Sequence, residues 1–415
     1  MADNSNKVAP SNGSENPPMV EENQGEAQEE VVLESNWDEV VETFEDLGLK
    51  KPLLRGIFGY GFSVPSYIQQ KAVKPILLKR DIIAQAQSGS GKTATFLISM
   101  LQNIDHEDLK TQALILAPTR ELANQIYEIS MKLGNYMNIK THLCTGGTKV
   151  SDDKAKIQLG VHFLIGTPGR IKDLIDRKIL SISYLKMLIV DEADEMLGYG
   201  FLEQLNDIIG VIPPDCQICL FSATMPDPIV KMTTNIMTNP VKILVKKEQV
   251  TLEGIKQYIL NCTSDSSKYI ALTEIYSNIN SNQSVIFANT KEKAEQIGKT
   301  MIDKGFVVSV IHGGMEQKDR SEVMSEFKQG ASRILIGTDL IARGIDVQQV
   351  DLVINFELPN NKECYIHRIG RSGRFGRKGN AINLVSQNEI AYMMEILEFY
   401  KSEAKPLPED LASIS

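Results

Sequence analysis

Four carboxylates in five positions mark the stretch LIVDEADEML (188–197), where Asp191, Glu192, Asp194 and Glu195 follow an apolar run that reads as a buried strand. Like charges this close raise one another's pKa unless a cation sits among them. About a hundred residues upstream, AQAQSGSGKT (84–93) follows a second apolar run and opens a helical pattern. A Gly-rich turn at a helix N-terminus offers backbone N–H groups and a positive dipole to a polyphosphate. Lys92 is then set to reach the β- and γ-phosphates. The Thr93 hydroxyl and Asp191 are set to hold Mg²⁺, and Glu192 to orient or deprotonate an attacking water. Lys92 and a Mg²⁺ arriving with ATP are the expected cations of the acidic cluster. Asp194 and Glu195 also suit a helix N-terminus, where the dipole favours acids. The plain alternatives are a surface acidic turn and a chance Gly/Ser turn. The strict phosphate-loop pattern has Gly where this chain has Ala86.

The elements that position these residues follow from periodicity. DIIAQA, ALILAPT, HFLIGT, KMLIVDE and CQICLFSAT read as buried parallel strands, separated by helical stretches such as RELANQIYEISMKLGNYM. The alternation resumes with IKQYIL, QSVIFANT, VVSVIHGG, SRILIGTD, VDLVINF and NAINLVS. This is the pattern of open parallel α/β sheets, whose functional loops gather at the carboxyl ends of the strands. It predicts an acidic disordered tail over 1–35, an α/β domain over 36–245, a linker over 246–254 and a second α/β domain over 255–415.

The 415 residues are 42% hydrophobic and 23% charged, enough for sizeable cores. No apolar run approaches a membrane span, and the N-terminus lacks a signal-like start, so a cytoplasmic or nuclear location is expected. Five cysteines spread thinly do not suggest a disulfide framework. Cys216 and Cys219 spell CxxC inside an expected strand, where positions three apart face opposite ways, and read as structural thiols. The net charge of −9 is uneven: eight acids against Lys7 alone put residues 1–34 at −7, and HRIGRSGRFGRKG (367–379) is locally basic. The tail's polar composition fits a solvated, disordered segment.

Taken together, DEAD at 191–194, SAT at 222–224 and HRIGRSGR at 367–374 resemble the motifs of the DEAD-box RNA helicases, and the likeness runs from about Glu34 to the C-terminus. The segments ESNWDEVVETFEDLGLKKPLLRGIFGYGF and RFGRKGNAIN resemble the branch of that family that acts in translation initiation. The resemblance implies two tandem RecA-like domains, each a parallel sheet flanked by helices, with nucleotide and RNA bound across the cleft. It makes Ala86 ordinary and Gly198-Tyr199 a mild departure. It assigns nucleotide contacts to Ala86, Gln87, Ser88, Gly89, Ser90, Gly91, Lys92 and Thr93. Gln69 in GFSVPSYIQQ is given the adenine edge, for which an amide offers a donor and an acceptor together. Phe44 is given the stacking face, with a core aromatic as the alternative. Arg371 and Arg374 become arginine fingers, with a basic RNA-phosphate loop as the alternative. Asp346 is placed at the ribose, and Asp194, Ser222, Thr224 and His367 couple the halves.

The resemblance also implies RNA contacts at Pro118, Thr119 and Arg120, at Gly146 and Gly147, and at Thr167, Gly169 and Arg170. In the second half it implies them at Asn289, Thr290, Arg320 and Thr338. These loops are rich in Gly, Thr, amides and arginine, which grip phosphates and 2′-hydroxyls and read few base edges. Expected partners are single-stranded RNA, short RNA duplexes and an initiation-complex scaffold protein with helical repeats; the chain is expected to be a monomer. The same residues would serve an ATP-gated RNA clamp in a splicing-linked or mRNA-decay-linked complex. A DNA-directed motor is disfavoured by the DEAD spelling and the Gln69 segment.

Overall fold

The computed structural model describes residues 35–86, 89–198, 200–244, 254–279, 281–341, 350–372 and 379–414. Strands β1 (Ile82–Gln85), β2 (Ala113–Leu116), β3 (Thr141–Cys144), β4 (Phe163–Gly166), β5 (Met187–Val190), β6 (Gln217–Ser222) and β7 (Val241–Ile243) form one parallel sheet. Its order is β3-β4-β2-β5-β6-β1-β7. A second parallel sheet holds β8 (Ile255–Cys262), β9 (Gln283–Phe287), β10 (Val308–Ile311), β11 (Ile334–Gly337), β12 (Val350–Asn355), β13 (Gly379–Ser386) and β14 (Lys405–Pro406). Its order, β10-β11-β9-β12-β13-β8-β14, is the first order shifted by seven.

Both faces of each sheet are covered, which is why the central strands are apolar throughout instead of alternating with polar residues. In β5, Met187 and Ile189 enter one buried cluster while Leu188 and Val190 enter the cluster on the opposite face. Cys219 in β6 belongs to the first cluster and Cys216, just before the strand, to the second, facing opposite ways as a strand period of two requires. All five cysteines are free thiols and buried. The strand run read from the sequence omitted β3, β7 and β14. β3 has the polar spelling THLC and is only half-buried at a sheet edge, β7 has three residues, and β14 has two.

Residues 1–34, and 246–253 of the linker expected over 246–254, lie outside the described residues. Ser35, expected at the end of the tail, is instead tied to the first sheet: its hydroxyl donates to the Leu244 carbonyl and accepts from the Leu244 amide. Among the described residues no helix is long and apolar enough to cross a membrane.

Candidate active site

The phosphate loop grows out of β1. Ala86 extends the ladder by donating its amide to the Ser222 carbonyl at the end of β6. Gly89 and Gly91 then take φ of +81° and +100°, and the helix Lys92–Asn103 begins. Gly91 has no side chain to cap the helix, so the first N–H groups are left for a ligand. The Lys92 ammonium is buried and donates to the Ala86 carbonyl at 2.5 Å. Burial lowers its pKa, against the raising influence of Glu192, Asp191 and Asp194, and Arg371 lowers it further. Gln87 and Ser88 lie outside the described residues.

β5 delivers the acids to the same edge. The Asp191 carboxylate accepts from the Glu192 amide at 3.0 Å. Burial and the neighbouring Glu192 push its pKa up to about 7, with Lys92 pulling the other way. Glu192 sits at φ +50°, a left-handed conformation that costs a non-glycine residue about 1–2 kcal/mol. Its Oε2 is buried and accepts no hydrogen bond among the described residues. A buried carboxylate whose pKa burial raises, beside a buried acceptor with no donor among the described residues, fits a bound cation. With the Thr93 hydroxyl close in sequence to Lys92, this hard-oxygen set fits Mg²⁺.

Asp194 is tied in another way. Its amide donates to the Ser222 hydroxyl (3.2 Å), and its Oδ2 accepts from the Thr224 amide (3.1 Å) and hydroxyl (2.7 Å). The same oxygen lies 3.2 Å from Nε2 of His367, which is fully buried. His367 belongs to the helix Lys362–Ile369 of the second sheet's half, so this contact joins the halves. Arg371 follows, buried, its Nε donating to the His367 carbonyl at 3.1 Å. The structure thus gathers Lys92, Asp191, Glu192, Asp194, Ser222, Thr224, His367 and Arg371. Glu195 is buried in the short helix Ala193–Gly198. Asp346, Arg374 and Tyr199 lie outside the described residues.

Two residues expected at the nucleotide base are buried against protein. Phe44 has no exposed surface: it packs in the core edge-on to Phe58, with ring centroids 6.4 Å apart, and offers no face for stacking. Gln69 is buried with both ends of its amide engaged, Oε1 by the Ser66 amide (2.8 Å) and Nε2 by the Gly91 carbonyl (3.4 Å). Ser66 also donates its hydroxyl to the Ser90 carbonyl at 2.7 Å, so this segment buttresses the phosphate loop.

The loops expected on RNA divide similarly. Thr119 caps the helix Arg120–Leu133, accepting from the Leu122 amide, with Pro118 buried beside it. Gly146 and Gly147 lie against the Arg120 guanidinium so closely that a Cβ would fall 2.9 and 2.8 Å from it. Thr167 and Gly169 open the helix Pro168–Asp176, with open space around Gly169. Thr290 caps the helix Lys291–Asp303, accepting from the Lys293 amide at 3.1 Å, and Thr338 precedes a short turn of helix with its carbonyl accepting from Ile341. Asn289 and Arg320 have their side chains engaged by protein. The Asn289 amide donates to the Leu358 carbonyl and accepts from Arg368. The buried Arg320 pairs with Glu121 of the first half at 3.2 Å.

Sequence reasoning passed over Arg368. It is wholly buried and donates to both Asp339 carboxylate oxygens (2.5 and 3.0 Å), to Asn289 Oδ1 (2.7 Å) and to the Glu357 carbonyl (2.7 Å). It locks the ends of β9, β11 and β12 to the helix carrying His367. The signal was an arginine one residue past His367 in an otherwise buried helix, with no motif role to draw attention to it.

Residues 66–232 match the DEAD/DEAH box helicase family, and residues 267–376 match the helicase conserved C-terminal domain. The chain is 51% identical over 386 residues to the ATP-dependent RNA helicase eIF4A of Schizosaccharomyces pombe, covering 93% of this chain and 98% of the relative. It is 50% identical over 383 residues to eukaryotic initiation factor 4A of Caenorhabditis elegans, covering 92% and 95%. The structure of Dbp5 from S. cerevisiae bound to RNA and ADP BeF3 is similar with a TM-score of 0.83 and 35% identity, over 88% of this chain and 95% of that one. With the phosphate loop, the acids and the cross-lobe histidine in one cluster, these likenesses show that the chain belongs to the DEAD/DEAH box helicase family.

Proposed function

We propose that this protein is an ATP-dependent RNA helicase of translation initiation, an RNA-stimulated ATPase that separates short duplexes. The observation that carries the reading is the 3.2 Å contact between Asp194 and His367, which puts the helix leading into Arg371 of one half against the acids and Lys92 of the other. Phosphoanhydride hydrolysis needs both sets: donors that receive the phosphates, and cations for the charge that spreads over the transferring phosphoryl oxygens. In this reading the uncapped helix at Gly91 and Lys92 hold the ATP phosphates. Glu192, with its free buried oxygen, orients and deprotonates the attacking water. Arg371 stabilises the developing charge, and Arg374 and Asp346 join it from the second half. Asp191 and Thr93 would hold Mg²⁺, which when bound supplies charge neutralisation at the phosphates.

Because the donors and the arginine belong to different halves, turnover follows closure. RNA promotes closure by lying across both halves, on the Gly146-Gly147 turn and the Thr167–Arg170 helix start of the first and on Thr290 and Thr338 of the second. Few of these groups can read a base edge, so the binding is sequence-independent and prefers RNA through the 2′-OH. The initiation-factor names of the relatives favour this reading over a clamp in a splicing-linked or decay-linked complex. The proposal extends to a monomer that is cytoplasmic, with the nucleus as a second location, and that works with a helical-repeat scaffold protein.

Steady-state ATP turnover tests it, measured at low salt with single-stranded RNA, with matching DNA and with neither. Strong stimulation by RNA alone is expected. Equal turnover with DNA or with no nucleic acid would overturn the reading.

A further inference from the structure

Beside the Gly146-Gly147 turn lies a knot of side chains around a buried acid, Asp153, that has no role in the chemistry above. Asp153, on the helix Val150–Gln158, is almost wholly inaccessible, and both of its oxygens are taken. Oδ1 lies 2.9 Å from Nε2 of His142 on β3, and Oδ2 pairs with the Arg170 guanidinium. Arg170 in turn donates to Thr148 twice, to its hydroxyl at 3.0 Å and its carbonyl at 2.7 Å. Thr148 closes the turn by donating its hydroxyl to the Thr145 carbonyl at 2.9 Å. From the other side the turn rests on Arg120, whose guanidinium fills the space where a Cβ at Gly146 or Gly147 would stand. The turn is therefore gripped between two arginines, and Asp153 is the acid that aims one of them.

His142, Cys144 and Asp153 bring their potential ligand atoms within 4.8 Å of one another, a spacing that would suit a metal ion. The chemistry argues otherwise. The guanidinium of Arg170 already occupies one Asp153 oxygen. Burial also pushes the Cys144 thiol up, keeping it protonated and a poor ligand. The cation this cluster holds is Arg170.

We infer that Asp153 is a positioning residue for RNA binding: by fixing Arg170 on Thr148 it holds the Gly146–Thr148 turn in the one shape that presents its backbone to a nucleic-acid phosphate. A charge-assisted pair whose acid is fully buried is suited to this, because it is directional and rigid where a surface pair is not. Arg120 lies against Gly146 and Gly147, the latter at φ +86°, and Arg170 holds Thr148, so each end of the turn rests on a cation.

The inference rests on the RNA-binding reading for its functional half and not for its structural half, so two measurements are made. Hydrogen exchange of the Gly146–Thr148 amides, without RNA, should be faster in Asp153→Asn than in the unsubstituted protein, while β1 and β5 keep their protection. In ATP turnover, Asp153→Asn should raise the RNA concentration for half-maximal stimulation about tenfold, with the KM for ATP unchanged and RNA-saturated turnover within about twofold. Thr148→Val, which loses the hydroxyl's contacts with Arg170 and the Thr145 carbonyl and keeps the carbonyl contact to Arg170, should give about threefold. A purely structural role would lower the thermal midpoint without moving half-saturation, and that result overturns the inference, as does unchanged exchange in the turn. Should Asp153→Asn not fold, Thr148→Val decides, and an unmoved half-saturation and exchange rate there overturn it equally. If RNA fails to stimulate even the unsubstituted protein, the functional reading has failed, and the exchange experiment still judges the knot.

Discussion

The two halves share one strand order and divide the chemistry between them, and the division is set at the first strand of each sheet. β1 runs into a glycine-rich turn and a helix whose N-cap, Gly91, has no side chain. β8, its counterpart, runs into the helix Asp265–Asn278, whose N-cap Ser264 accepts from the Ser267 amide at 3.2 Å while the Ser264 amide donates to the Ser267 hydroxyl. The same backbone edge is thus left hungry for an anion in one half and satisfied by its own side chains in the other. The fifth strands differ likewise. β5 ends in Asp191 and Glu192 with an orphaned oxygen, whereas the end of β12 is closed by Arg368, which takes the Glu357 carbonyl. One half keeps its donors and acceptors open. The other spends them on itself and contributes Arg371, just past the helix that carries His367.

The sharpest way to break this comparison is to remove the contributed cation. Arg371→Ala should lower RNA-stimulated turnover by about 10³–10⁵ while the first half still binds nucleotide. A loss below tenfold, in single-turnover measurements, would mean the second half supplies no charge to the reaction. Glu192→Gln should cost about 10²–10⁴ in turnover. It should also lengthen the life of the complex with ATP and RNA; an unchanged off-rate would separate hydrolysis from release. His367→Ala removes one tie between the halves, the one at the acids, and its effect should fall more on RNA-stimulated than on RNA-free turnover, by about tenfold. Equal effects on both would make the contact a matter of folding alone. The smallest test addresses the caps directly. Ser264→Ala should destabilise the second half by about 1 kcal/mol and leave ATP affinity alone. Gly91→Ala forces a Cβ to 2.7 Å from Gln69 and should weaken ATP binding. Urea midpoints and nucleotide titrations distinguish the two.

Much of this was legible in the spelling. Central strands declare themselves as unbroken apolar runs because both sheet faces are buried, and LIVDEADEML and AQAQSGSGKT carry their chemistry within ten residues. Edge strands did not. THLC offers neither a run nor a clean alternation, and without β3 the histidine beside Asp153 had no place in the argument.

What the sequence by itself determined was therefore local: element type from the period of apolar residues, a phosphate loop from glycine spacing, and an acidic cluster at a strand end. Only the tertiary structure decided which polar groups remained free. Phe44, Gln69, Asn289 and Arg320 all have the right chemistry for a ligand, yet packing gives each a protein partner. The partners of Arg320 and His367 lie far away along the chain, at Glu121 and Asp194. A side chain's capacity for a hydrogen bond is written in its residue type. Whether that capacity is already used depends on a neighbour that only the folded chain brings within about 3 Å.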